Sequence, residues 1–286
     1  MFVNKIIFPD IEGNSRSYPV NVISKLGKTE FNIKSPVTLI YGSNGSGKST
    51  LLNIISHKLN CDRETKIDPK VTYDYRIGRA ISLFDEVSQK TDIVTSNTFD
   101  YDDKGQPENQ RLITSAEVLN YIARKVDHSN KVSVAINTKV NRINSWKWGE
   151  SDGSISEGSA YLKKITERDT SARISMHEKN IQSNGEEIFE YFAEILESNS
   201  LYLLDEPENC LSTVFQKRLA DYIYDLSQNY NCQFIIASHS PFFLSIKGAQ
   251  IINIDESPAE YCDDWRALEN MQPYFELFHK DSRGGK

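Results

Sequence analysis

No stretch of this chain approaches the roughly 20 apolar residues that a bilayer-spanning helix needs. Its first ten residues, Met1 to Asp10, are interrupted by Asn4 and Lys5 before the apolar core of a secretion signal can build up. The expectation is a soluble, cytoplasmic protein. Cysteine is scarce: Cys61, Cys210, Cys232 and Cys262 stand far apart with no C-x-x-C spacing, and read as scattered structural thiols in a reducing compartment. An excess of positive charge is also missing. Forty acidic residues against 33 basic ones give a formal net charge of −7, so a nucleic-acid contact needs a local patch or a partner. No heptad repeat is sustained through the middle of the chain, which excludes a long coiled-coil insertion. At 286 residues the chain can bury a substantial core, as one large domain or two modest ones.

What the chain does have is one sharply patterned stretch, Gly42-Ser43-Asn44-Gly45-Ser46-Gly47-Lys48-Ser49-Thr50, which meets G-x-x-x-x-G-K-[ST] at every fixed position. It follows an apolar, β-prone run over residues 36–41 and leads into residues 51–59, where Leu52, Ile55 and Leu59 recur at helical spacing. Strand, glycine loop and helix thus come in the order a phosphate site needs. The glycines let main-chain N–H groups turn inward as an anion nest, and the helix behind adds the positive end of its dipole. Lys48 is expected at the β- and γ-phosphates and the Ser49 hydroxyl on Mg2+. A plain Gly/Ser-rich turn before a helix is the alternative, but it has no use for Lys-Ser at its end.

Around this stretch, β-prone runs at residues 2–8, 18–23, 31–33 and 37–41 alternate with turn signals and imply an antiparallel β layer leading into a first buried parallel strand. Residues 60–180 are mixed and polar. Within them 92–95 reads as a strand and 115–126 as a helix with Val118, Tyr121, Ile122 and Val126 on one face, while 100–110 and 146–158 read as solvated loops. Patterning returns at 187–197, a helix with the stripe Ile188, Phe192, Ile195 and Leu196. A buried strand at 201–204, a helix carrying Phe215, Leu219, Tyr222, Ile223 and Leu226, and strands at 233–237 and 251–254 follow. Strands alternating with helices imply an α/β fold with a mostly parallel sheet flanked by helices. The aromatic-rich tail, 261–286, reads as one or two short helices on the sheet.

Two carboxylates, Asp205 and Glu206, fall at the carboxyl end of a hydrophobic strand, where open parallel sheets place their sites. Asp205 would complete a Mg2+ shell and Glu206 would orient and activate an attacking water; a pair of helix-capping acids is the bland alternative. His239 ends the next strand, where neutral imidazole would hydrogen-bond the γ-phosphate, or serve structure alone.

In order and spacing, Lys48, Asp205-Glu206 and His239 resemble the nucleotide loop, acidic strand and switch histidine of the ATP-binding-cassette ATPases. Gln182-Ser183-Asn184-Gly185-Glu186 is the counterpart of that family's L-S-G-G-Q signature, keeping the serine and the second glycine and departing at the other three positions. More closely, Ser-Asn-Gly-Glu, Leu-Tyr-Leu-Leu-Asp-Glu-Pro-Glu-Asn and Cys-Gln-Phe-Ile-Ile-Ala-Ser-His-Ser-Pro-Phe resemble small stand-alone bacterial ATPases of AAA type, over residues 36–60 and 180–255. The dimer-contact loop S-A-L-D has Asn209-Cys210-Leu211-Ser212 in its place, matching only at Leu211. Gln89 and Thr95-Ser96-Asn97 are both candidates for the Mg2+-sensing position. Tyr18 is the candidate for adenine stacking, with a core tyrosine as the alternative reading.

The resemblance implies a P-loop NTPase of one domain over 1–286, with a nucleotide-binding core (1–60 and 196–260), a helical and signature lobe (61–195) and a tail (261–286). It implies a Mg2+-dependent ATP hydrolase that binds ATP through residues 42–50. Two copies would sandwich the nucleotide, with Ser183 and Gly185 of each capping the ATP of the other. Such an ATP-switched homodimer would control an effector partner or a nucleic-acid process, in genome maintenance or anti-phage defence. The ATPase subunit of a membrane transporter is the alternative, and a small-molecule kinase a third reading.

Overall fold

The computed structural model describes residues 1–11, 17–63, 75–95, 106–124 and 184–276. The first strand, β1 (Val3–Ile7), runs between β2 (Glu30–Asn32) and β4 (Asp92–Thr95) in a three-stranded antiparallel sheet. Ile6 stands opposite Phe31 on one side and Ile93 on the other. The expected antiparallel layer is therefore present, but its third strand comes from residues 92–95. Residues 18–23, expected as a strand, instead turn into a short helix, α1 (Val20–Lys25). Its β-branched residues misled the propensity reading; what decides is that Val22, Ile23 and Leu26 share one buried face.

The second sheet carries the site. Its order is β5 (Asn109–Thr114), β6 (Ser200–Asp205), β7 (Gln233–Ala237), β3 (Val37–Tyr41), β8 (Gln250–Asn253) and β9 (Glu260–Cys262). The first five are parallel and β9 returns antiparallel on β8. Every residue of β3 and β7 is buried, as strands covered on both faces should be. Tyr202 and Phe234 stack across β6 and β7 with ring centroids 5.5 Å apart. Strand β5 takes in residues 109–110, which the sequence places in a loop. It lies at the sheet edge and buries only Leu112 and Ile113, too few to mark a strand.

Helix α2 (Lys48–Leu59) lies between the sheets, touching β4 of one and β5, β6 and β7 of the other, with Leu51, Leu52, Ile54 and Ile55 buried. One continuous core thus joins both sheets. Helix α3 (Tyr75–Lys90), which the sequence reading did not anticipate, packs on α2. Gln233 ties the sheets directly: its side-chain oxygen accepts from Phe2 N–H at 2.7 Å and Val3 N–H at 2.8 Å, and its amide donates to the Val3 carbonyl at 2.8 Å.

The chain divides into two units, residues 1–117 with 192–286, and residues 118–191. The second is described only at its ends, by parts of α4 (residues 115–124) and α5 (Asn184–Ile195), where the Tyr121 and Tyr191 rings lie 4.6 Å apart. Helix α6 (Thr213–Asn229) and the single turn α7 (Pro241–Leu244) complete the first unit. The tail opens with β9 and then forms two 3-10 turns, where Leu268 and Met271 are buried. Among the described residues no helix is long and apolar enough to cross a membrane.

Candidate functional site

Register explains why three distant sequence segments meet. Ala237 of β7 pairs with Ile40 of β3 on one side and Asp205 of β6 on the other. The loop after β3, the acids after β6 and the histidine after β7 therefore emerge side by side at the carboxyl edge of the sheet.

The loop needs its glycines for space. A Cβ on Gly42 would come within 2.5 Å of Ser46 Oγ and 2.9 Å of Ile254 Cγ1. Gly47 has φ 107° and ψ 10°, and a Cβ there would sit 2.3 Å from Val22 Cγ1 on α1. Helix α2 begins at the next residue with no side chain capping its N-terminus and no acid in its first turn. Its leading N–H groups and positive dipole end are left for an anion. Ser46 Oγ, in the same loop, is buried without a hydrogen-bond partner.

Lys48 is only 3% exposed. Its ammonium donates to the carbonyls of Gly42 at 2.9 Å and Ser43 at 3.2 Å, and stands 3.2 Å from Glu206 Oε1. The Ser49 hydroxyl donates to Asp205 Oδ1 at 2.9 Å. Burial pushes the Asp205 carboxyl above its ordinary range; the Ser49 hydrogen bond opposes this, and the neighbouring Glu206 charge adds to it. At Glu206 burial pulls the same way but loses to the hydrogen bonds from Asn209 and Lys48 and to the Lys48 charge, so that this carboxyl lies below its ordinary value. The two acids are thus driven apart by their surroundings. Glu206 also holds a left-handed backbone, φ 48° and ψ 54°, which strains a non-glycine residue. It is pinned there by its N–H on the Ala237 carbonyl at 2.9 Å and by Asn209, whose amide donates to Oε2 at 2.9 Å.

His239 is at the same edge, its side chain 44% exposed. Its main-chain N–H donates to Glu208 Oε1 at 2.9 Å, and the Ser238 hydroxyl donates to the same oxygen at 2.7 Å. Ser240 in turn donates its hydroxyl to Gln216 of α6 at 2.8 Å. Sequence reasoning missed Glu208, Gln216 and Asp255. Asp255 accepts from Ser43, taking its N–H at 2.7 Å and its hydroxyl at 2.9 Å. The second glutamate of Asp-Glu-Pro-Glu was the signal available for Glu208. Asp255 had none, being 212 residues from its partner.

Other expected positions fare differently. Gln89 is exposed on the last turn of α3, and its carbonyl accepts from Lys58 at 3.0 Å. Lys58 is in the last turn of α2, nine residues past Ser49, or roughly 14 Å along the axis. The structure therefore does not bring Gln89 to the phosphate end. Thr95 ends β4 in the small sheet, and Ser96 and Asn97 lie outside the described residues. Tyr18 is 46% exposed just ahead of α1. Ser183 lies outside the described residues, while Gly185 stands in the first turn of α5, in the 118–191 unit. Asn209 and Cys210 form the 3-10 turn after β6, Leu211 is buried and Ser212 is the residue before α6.

Two solved structures resemble the chain. One is Stu0660 of Streptococcus thermophilus, 15% identical, with a TM-score of 0.41, covering 91% of this chain and 76% of that one. The other is the SMC head domain from Thermotoga maritima, 14% identical, with a TM-score of 0.40, covering 92% of this chain and 98% of that one. No curated protein matches the chain. The profile of the family described as "AAA domain, putative AbiEii toxin, Type IV TA system" matches residues 37–245. That match takes in well over half of the sequence and the strands β3, β6 and β7 that end at the loop, the two acids and His239, and the chain belongs to this family of AAA-type ATPases.

Proposed function

We propose that this chain binds ATP with Mg2+, hydrolyses it, and uses the cycle to pair with and release a second copy of itself. The observation that carries the reading is the meeting of Lys48 with Glu206 and of Ser49 with Asp205 at one edge of the sheet. The N–H groups of residues 44–50 would hold the phosphates and Lys48 the β- and γ-oxygens. Ser49 and Asp205 are hard oxygen donors of the kind Mg2+ takes, and the ion would neutralise charge on the phosphates. Glu206, kept ionised by Asn209 and Lys48, would align the attacking water and accept its proton, while His239 would meet the γ-phosphate.

The Lys48 ammonium lies 3.2 Å from Glu206 Oε1. Phosphate oxygens would draw that ammonium away and leave the carboxylate free for water, coupling binding to readiness for hydrolysis. In a sandwich of two copies, Ser183 and the helix behind Gly185 would supply donors to the nucleotide of the opposite copy. The family's description supports a toxin–antitoxin or defence setting, in which the switch acts on an effector protein or, through a local patch, on nucleic acid.

The test is the solution mass of Glu206→Gln by light scattering, with and without Mg-ATP, beside wild-type hydrolysis. The substitution should stall turnover and leave binding intact. A monomer that becomes a dimer with ATP is the expected result; a persistent monomer with bound ATP removes the sandwich.

A further inference from the structure

The histidine at the end of β7 does not stand alone. Glu208, on the turn after β6, has a side chain only 5% exposed. Its Oε1 takes the Ser238 hydroxyl and the His239 main-chain N–H, and lies 3.3 Å from His239 Nδ1. That last approach falls short of a hydrogen bond: Nδ1 is buried without a partner, and so is the other carboxylate oxygen, Oε2. Buried polar atoms left unpaired cost free energy, and a small rotation of the imidazole brings Nδ1–H onto the carboxylate. The two ring nitrogens sit on opposite edges, so a ring held by Nδ1 turns Nε2 away from Glu208. Since Nδ1 is buried, the exposure of this side chain belongs to the rest of the ring.

We propose that Glu208 is the positioning residue for His239, its carboxylate gripping the residue by Nδ1 and by the main chain so that Nε2 is presented to the nucleotide. This rests on the ATP reading above. An orienting acid on the far nitrogen fixes the direction of the ring; with Nδ1–H given to the carboxylate, Nε2 donates to a phosphate oxygen in the doubly protonated ring. It also gives the second glutamate of Asp-Glu-Pro-Glu a task distinct from that of Glu206. Gln216 of α6 joins the two turns, accepting from the Ser240 hydroxyl at 2.8 Å and donating its amide to the Leu211 carbonyl at 2.9 Å.

The experiment reads the ring itself. In 15N-labelled wild-type protein, with and without a non-hydrolysable ATP analogue and Mg2+, the five histidines are resolved and His239 is assigned by the signal lost in His239→Asn. The expected result is a slowly exchanging Nδ1–H signal for His239 once nucleotide is bound, absent from Glu208→Ala. Hydrolysis by Glu208→Ala should fall about ten- to a hundredfold in kcat with KM within about twofold. Glu208→Gln keeps an acceptor for Ser238 and for the His239 main chain, and should recover part of the rate. A His239 ring protonated on Nε2 alone in both states overturns the proposal, as does a Glu208→Ala enzyme as fast as wild type. A wild-type protein that does not turn over ATP would instead count against the ATP reading, because the ring signal is read without turnover.

Discussion

Replacing Gly47 with alanine puts a methyl group where Val22 already is. The added Cβ would lie 2.3 Å from Val22 Cγ1, and the residue would have to keep φ 107°. Holding an L-residue in that backbone region costs roughly 1–3 kcal/mol, and forcing a methyl into a filled contact costs about 1–3 kcal/mol more. The sum, about 2–6 kcal/mol, is a large part of a typical stability of roughly 5–15 kcal/mol. Urea unfolding of Gly47→Ala, Val22→Ala and the double variant separates the two parts. The double variant should recover the steric part, giving a favourable interaction energy of about 1–2 kcal/mol, and leave the backbone part in place. Nucleotide binding should stay impaired even in the double variant, because the direction of the loop N–H groups depends on that φ. An unfolding midpoint for Gly47→Ala equal to wild type, or a strictly additive cycle, would refute the reasoning.

Two further perturbations test the electrostatics and the join between the sheets. With its folded-state pKa raised, Asp205 favours the fold when protonated: that contribution is complete below the ordinary value and is lost as pH rises through the raised one. At neutral pH the ionised group is a net cost, so Asp205→Asn, which still offers Ser49 an acceptor, should raise the urea midpoint of nucleotide-free protein at pH 7. The gain should shrink near pH 3, and a lowered midpoint at pH 7 contradicts the assignment. Gln233→Ala strands two buried N–H groups at the start of β1 and should cost on the order of 2–4 kcal/mol. Hydrogen exchange should show the loss first at residues 2–3; unchanged protection there would mean that Gln233 is not the tie.

The parts of the site that were legible in the sequence are those whose meaning is local. A glycine loop between a strand and a helix, two acids after an apolar run and a histidine after another each announce themselves within a dozen residues. Their meeting also follows, because parallel strands of similar length end at one edge. What stayed hidden depends on partners far along the chain. Glu208 holds a residue 31 positions away, and Asp255 holds the loop from 212 positions away. Residues 18–23 were misread because six residues are too few for a helical period to outweigh β-branched propensity; the fit of Val22 under Gly47 settles it. Strand β5 was missed because an edge position asks for only two buried apolar residues.

The charges at the sheet edge are set against one another. An ammonium 3% exposed has to be compensated, and here the compensation is two carbonyls of its own loop and the carboxylate of Glu206. The same acid is held in place by Asn209 and in a strained backbone. Asp205, one residue earlier, carries the opposite burden: it is partly buried, its pKa is raised, and its bonded partner is a hydroxyl. A divalent cation at Ser49 and Asp205 would relieve that cost while phosphate oxygens take over Lys48. A metal-bound polyphosphate would thus offset the Asp205 cost and give Lys48 a further anionic partner, which is the physical reason to read this edge as a nucleotide site and not as a capped turn.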